Sequence, residues 1–158
     1  MKAQPTSYPK SKVKILLLEN ISKAAVAEFS EAGYTEINEI KGALSEAELC
    51  EAIKGVHVLG IRSKTHVTAK VLENADKLLA IGAFCIGTNQ IALNAARKKG
   101  VAVFNAPYSN TRSVAELGIG LCVMLIRKII DKNNAAHAGT WMKDAKGSFE
   151  LRGKTLGI

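Results

Sequence analysis

Short continuous apolar runs punctuate this chain at regular intervals. Residues 13–18, 56–61, 78–81 and 101–104 are apolar almost without interruption. That is the signature of strands buried on both faces, as in a parallel sheet. Residues 35–40 alternate instead, which predicts a more exposed strand at an edge. Between the runs lie helix signals. Ser22 is placed to cap a helix with the stripe Ala25, Val26 and Phe29, stapled by Ile21 against Val26 and stopped by Gly33. Ser45 and Glu48 have capping-box spacing, Leu44 and Leu49 staple the same helix, and Gly55 ends it. Thr68 caps a helix carrying Val71, Leu72 and Ala75, and residues 91–99 form another, closed by Gly100.

The five strands begin near residues 13, 35, 56, 78 and 101, a spacing of about 22. That is the rhythm of right-handed βαβ crossovers. It predicts an α/β fold: a parallel five-stranded sheet with helices on both faces, in the flavodoxin-like order 2-1-3-4-5. The topological switch then falls between strands 1 and 3, and ligands belong beyond the carboxyl ends of the strands. Those ends are Glu19-Asn20, Arg62-Ser63-Lys64, Gly82 to Thr88, and Asn105 to Asn110.

A different pattern runs from Asn105 to Ile130. A polar loop leads into an apolar stretch over residues 114–130. Ser113 and Glu116 predict a capping box, and Arg127, Lys128 and Lys132 lie at the end where the helix dipole favours cations. A helix so apolar must be covered on most sides, so it is expected to bridge two packed bodies. Free backbone N–H groups and the Asn110 amide in front of it suit an anion or a cofactor carboxamide; an ordinary capped core helix fits as well. Beyond it, Asn133, Asn134, Gly139, Gly147 and the lone Trp141 predict an arm rather than a core element. Residues 152–158 predict the opening strand of a second domain, at which the sequence stops, since one strand makes no sheet.

Charge refines this division. The net charge is +8, with 11 Lys/Arg against 10 Asp/Glu in residues 1–94 but 11 against 4 in residues 95–158. The second part should face anions: a phosphorylated ligand, nucleic acid or an acidic partner. The cations are not interleaved with aromatics, which disfavours a stacking platform for single strands, and no nucleic-acid partner is expected. No apolar signal core stands in residues 1–14, and the longest apolar run, residues 117–126, is too short for a bilayer. Cys50, Cys85 and Cys122 are odd in number and far apart, as in a cytoplasmic protein with reduced thiols. No metal site is expected.

Candidate chemistry gathers at the strand ends. Arg62 and Lys64, with the backbone amides of Arg62-Ser63-Lys64-Thr65, form a plausible carboxylate or phosphate site at the switch point. The loop Gly82-Ala83-Phe84-Cys85-Ile86-Gly87-Thr88-Asn89 allows close backbone approach to a ligand. Cys85 fits a small buried apolar residue better than a reactive thiol. His57, His66 and His137 have no carboxylate at a spacing that suggests a catalytic pair, and no Gly-x-Gly-x-x-Gly is present.

Four segments together resemble the D-isomer-specific 2-hydroxyacid dehydrogenases. They are Ile-Arg-Ser-Lys-Thr (61–65), Ile-Gly-Ala-Phe-Cys-Ile-Gly-Thr-Asn-Gln (81–90), Asn-Ala-Pro-Tyr-Ser-Asn-Thr-Arg-Ser-Val-Ala-Glu (105–116) and Gly-Ser-Phe-Glu-Leu-Arg-Gly-Lys-Thr-Leu-Gly-Ile (147–158). The likeness is greatest to the members that oxidise the 2-hydroxyl of 3-phosphoglycerate on the way to serine. It implies NAD as cofactor and a homo-oligomer. It implies that Arg62, Ser63 and Lys64 hold the substrate's anionic groups with Lys41 nearby, and that Asn110 lies beside substrate and nicotinamide. Ile86 and Val114 would pack near the nicotinamide. The segment around Trp141 would reach a neighbouring subunit, with Lys143 near that subunit's site. The expected division is a disordered stretch over residues 1–12, a substrate domain over 13–108, and the start of an NAD-binding domain over 109–158. The family's glycine fingerprint and its catalytic Arg, Glu and His would lie beyond residue 158, so these 158 residues alone are expected to be inactive. Two alternatives stay open: a dehydrogenase for another D-2-hydroxy acid, such as glycerate or lactate, and a non-catalytic module that binds an anion or a partner.

Overall fold

The computed structural model describes residues 8–157 and divides into two units, Met1–Ser109 and Asn110–Ile158. In the first, each apolar run becomes a short strand, and each of the first four strands is followed by a helix of the same unit. The elements are β1 (Lys14–Leu17), α1 (Lys23–Glu31), β2 (Glu36–Glu39), α2 (Glu46–Ala52), β3 (Val58–Ile61), α3 (Ala69–Asn74), β4 (Ala80–Ala83), α4 (Leu93–Lys98) and β5 (Ala102–Asn105). All strand pairs are parallel, in the order β2-β1-β3-β4-β5 that the spacing predicts. The alternating strand is β2, at an edge and mostly exposed.

Successive residues of β1 feed two cores, because side chains alternate across a strand. Leu16 and Leu18 pack with Leu49, Ile53, Leu59, Ile61, Val71, Leu72 and Ile81, under α2, α3 and α4. Ile15 and Leu17 face the other way, against Ala25, Val26 and Phe29 of α1. Three predicted caps form. Ser22 accepts from Ala24 N, Thr68 accepts from Val71 N, and Ser45 and Glu48 close a reciprocal capping box.

Several boundaries differ from the sequence pattern. The fourth strand runs to Ala83, two residues beyond the apolar run, and Gly82, expected in the loop, pairs between Gly60 and Phe104. Glycine suits both paired positions sterically. The Phe84 ring lies over both glycines, and a Cβ at Gly60 or Gly82 would stand 3.1 or 3.2 Å from it. The expected disorder of residues 1–12 does not extend to residues 10–12. Lys10–Lys12 form a 3-10 turn, Lys10 Nζ donates to Ala32 O at 2.8 Å near the end of α1, and the ammonium lies 5.6 Å from the Tyr34 ring centre. Residues 1–7 lie outside the described residues.

The second unit holds α5 (Thr111–Ile126) and α6 (Ile129–His137). The Ser113–Glu116 capping box does not form. The N-cap falls three residues earlier, at Asn110, with the Val114 N–H already donating to Asn110 O, so Ser113 is inside the first turn and cannot cap it. The apolar stretch is also not one helix. It breaks at Lys128, whose φ is 52°, and the polar stretch expected as an arm continues as α6. The chain then returns: Phe149 N and Ser148 Oγ donate to the carbonyls of Ile126 and Arg127, which the end of α5 leaves unpaired. The strand expected over residues 152–158 is absent. Leu151 to Lys154 form a turn, residues 154–157 are exposed without regular structure, and no strand of the described residues pairs with them. Ile158 lies outside the described residues. No residue of α5 is buried within the chain; Val114, Leu117, Ile119 and Leu125 are all more than half exposed.

Candidate anion site at the carboxyl ends of the strands

Hydrogen bonds beyond β1, β2 and β3 gather the predicted cations at one end of the sheet. Leu18 N donates to Gly60 O, and Glu19 N donates to Gly42 O, so the turn carrying Lys41 is tied to the end of β1. Glu19 and Asn20 then take left-handed conformations, with φ of 60° and 54°. This bend aims the Glu19 side chain at the loop after β3. Its carboxylate accepts from the backbone N–H groups of Arg62 (3.1 Å), Lys64 (2.9 Å) and Thr65 (2.9 Å).

Glu19 is 7% exposed and, among the described residues, has no cationic side chain bonded to it. Burial pushes its pKa up. The Lys64 N–H, the Thr65 hydroxyl and the N–H groups of Thr65 and Arg62 together outweigh that and hold it below the ordinary glutamate value. The Thr65 hydroxyl oxygen is buried and makes no hydrogen bond of good geometry among the described residues, so it acts on the carboxylate through its dipole. The arrangement corrects one expectation. The loop amides of Arg62, Lys64 and Thr65 are consumed inside the protein and cannot bind an external anion. What the loop offers to solvent is the exposed side chains of Arg62, Ser63 and Lys64, with neither cation in an ion pair among the described residues.

The loop after β4 is locked to the same place. Phe84 N donates to Ile61 O. Gln90, 4% exposed, points its Nε2 at Arg62 O (2.9 Å), Gly87 O (3.2 Å) and Cys85 Sγ (3.3 Å). Cys85 is half-buried and directs its thiol to Gly87 O, as a packed residue does. Asn105 Nδ2 holds Ile86 O at 2.8 Å, leaving the Ile86 side chain 42% exposed on a fixed backbone. Close by, a groove of 790 Å³ is lined by Gly87, Thr88, Asn89, Leu93 and Lys98; it does not include Arg62 or Lys64.

The remaining candidates belong to the second unit. Asn110 precedes α5 and makes no side-chain cap bond, and Val114 is 58% exposed. Trp141 is 82% exposed and Lys143 is exposed, both after α6. His57, next to β3, accepts from Lys14 N through Nδ1. Glu19 and Gln90 were not singled out as site residues by pattern. The available signal was an acid closing an apolar strand at the switch point.

A parallel sheet in this order defines an α/β fold of the kind whose ligands sit beyond the carboxyl ends of the strands, where Arg62 and Lys64 stand. The profile of the D-isomer specific 2-hydroxyacid dehydrogenase catalytic domain matches residues 15–149, and the chain belongs to that family. It is 53% identical over 152 residues to the D-3-phosphoglycerate dehydrogenase of Haemophilus influenzae, covering 96% of this chain and 37% of that protein. It is equally 53% identical, over 153 residues, to the D-3-phosphoglycerate dehydrogenase of Dictyostelium discoideum, covering 97% of this chain and 37% of that protein. A crystal structure of a Thermus thermophilus protein shares the fold, with a TM-score of 0.73 at 23% identity over 89% of this chain and 43% of that one. The chain thus spans little more than a third of the length of these curated relatives. Among the described residues, no helix is long and apolar enough to cross a membrane.

Proposed function

We propose that this chain supplies the substrate-holding part of an NAD-dependent dehydrogenase that oxidises the 2-hydroxyl of D-3-phosphoglycerate to 3-phosphohydroxypyruvate, in L-serine biosynthesis in the cytoplasm. The observation that carries this is the exposed Arg62-Ser63-Lys64 loop beyond the switch point, fixed from beneath and left with free cations. Arg62 would take one anionic group of the substrate in a bidentate contact, Lys64 and Lys41 would add charge, and Ser63 would donate a hydrogen bond. Several cations around one loop favour a doubly anionic substrate over lactate or glycerate. The family resemblance and the 53% identical relatives support the particular substrate.

The cofactor, when bound, supplies the hydride acceptor. Ile86 fits one apolar face of a nicotinamide, because its backbone is pinned by Asn105 while its side chain stays open. Asn110 and Val114 are the second unit's candidates for the same cofactor. Trp141 and Lys143 are proposed to reach a neighbouring copy of the chain, Trp141 as an apolar anchor. The working division is a substrate domain over residues 13–108 and the start of a cofactor domain over 109–158.

The test is titration of the chain with 3-phosphoglycerate, alongside D-lactate and D-glycerate, by calorimetry. Removing a charge-assisted contact costs about 1.5–3 kcal/mol, so Arg62→Ala should weaken 3-phosphoglycerate binding roughly 10- to 150-fold. Unchanged affinity in that variant, or tighter binding of D-lactate, would refute the assignment.

A further inference from the structure

Arg62 and Lys64 are long side chains on an exposed loop, and a flexible loop would give up much of its binding energy in being ordered. The structure orders it beforehand. We propose that Glu19 and Gln90 are positioning residues for the anion site, clamping the Arg62 peptide units from both sides so that Arg62 and Lys64 meet the substrate preset. The inference rests on the anion-binding role of that loop argued above.

Glu19 is the N–H side of the clamp. One carboxylate accepts three backbone donors, on Arg62, Lys64 and Thr65, across 43 to 46 residues of chain. Gln90 is the carbonyl side. Its Nε2 donates to Arg62 O and lies within reach of Gly87 O, which joins the loop after β3 to the loop carrying Ile86. Both clamping residues are buried, so neither can contact substrate itself. The Thr65 side chain at the base of the loop is fully buried too, leaving Arg62-Ser63-Lys64 as the exposed segment.

A glutamine at position 19 has the same shape but offers one acceptor oxygen and turns an NH₂ towards N–H donors. The loop must move to avoid that clash. Electrostatics alone predicts the opposite sign, because losing a buried negative charge beneath two cations would strengthen their attraction for an anion. A purely structural role predicts no change in affinity well below the melting temperature. The direction of change therefore separates the three.

The experiment is calorimetric titration of the 158-residue chain with 3-phosphoglycerate, in wild type, Glu19→Gln, Gln90→Met and Arg62→Ala, with folding checked by circular dichroism. The expected result is at least tenfold weaker binding in Glu19→Gln and several-fold weaker binding in Gln90→Met. Equal or tighter binding in a folded Glu19→Gln overturns the proposal. Should that variant fail to fold, unchanged affinity in Gln90→Met overturns it instead. Amide hydrogen exchange on the wild type is an independent check: the N–H groups of Arg62, Lys64 and Thr65 must exchange slowly despite the exposed loop, and fast exchange overturns the clamp. Binding that Arg62→Ala abolishes while both clamp variants retain it refutes the positioning role alone. No binding by the wild type refutes the anion site itself, and the positioning role with it.

Discussion

At the residue scale, the most consequential side chain is a buried acid with no cationic partner among the described residues. Three backbone N–H groups stabilise the Glu19 carboxylate, and its pKa stays low although burial alone would raise it. Because the folded pKa is depressed, the stability linked to ionisation is fully present above the unfolded glutamate value. It is lost as pH falls through the lowered folded value. Urea unfolding of wild type and Glu19→Gln should therefore differ most near pH 6. The gap should shrink as pH falls below the ordinary glutamate range and the wild-type side chain takes up its proton. A gap independent of pH would mean that the loop amides do not hold an ionised group.

Capping shows how the same local motif gives different outcomes at the scale of the element. Ser45 and Glu48 form both bonds of a capping box at the start of α2, whereas Ser113 and Glu116 have the same spacing and form neither. Spacing specifies a cap only where the backbone is non-helical at the serine. At Ser113 the helix has already begun, from Thr111. Ser45→Ala should then destabilise the chain by about 1 kcal/mol, and Ser113→Ala by a few tenths of that. Denaturant midpoints of the two variants check this directly. Equal losses would place the start of α5 at Ser113.

At the scale of the whole molecule, the two units differ in how they treat apolar surface. The first buries its leucines, isoleucines and valines on both faces of the sheet. The second leaves Leu117, Ile119, Leu121 and Leu125 exposed, and Ile119 and Leu125 line a groove of 460 Å³ with Leu151 and Leu156. Contiguous apolar surface of this kind drives association in water. The 158-residue chain should therefore self-associate at micromolar concentration. Leu121→Glu together with Leu125→Glu should shift it towards monomer in light scattering. A monodisperse wild-type monomer would contradict this.

The amino-acid pattern alone determined the parallel sheet, its strand order, the exposed edge strand, and the position of the cation loop at the switch point. These follow from local periodicity, from turn and cap residues, and from the handedness of βαβ crossovers, all of which act over roughly 20 to 30 residues. The family motifs around Arg62, Cys85 and Asn110 were equally legible, because they are contiguous in the chain. Tertiary structure alone decided what lies between those segments. The Glu19 and Gln90 contacts join residues 28 to 46 positions apart, and no spacing rule announces them. β4 runs past its apolar run through the Gly60–Gly82 pair, and the room there for the Phe84 ring is a property of neighbouring strands. The break at Lys128 and the helical α6 arise where the returning chain satisfies the last carbonyls of α5. Residues 154–157 have strand composition and no strand partner among the described residues. A strand exists only through hydrogen bonds to a neighbour, so composition by itself could not make one.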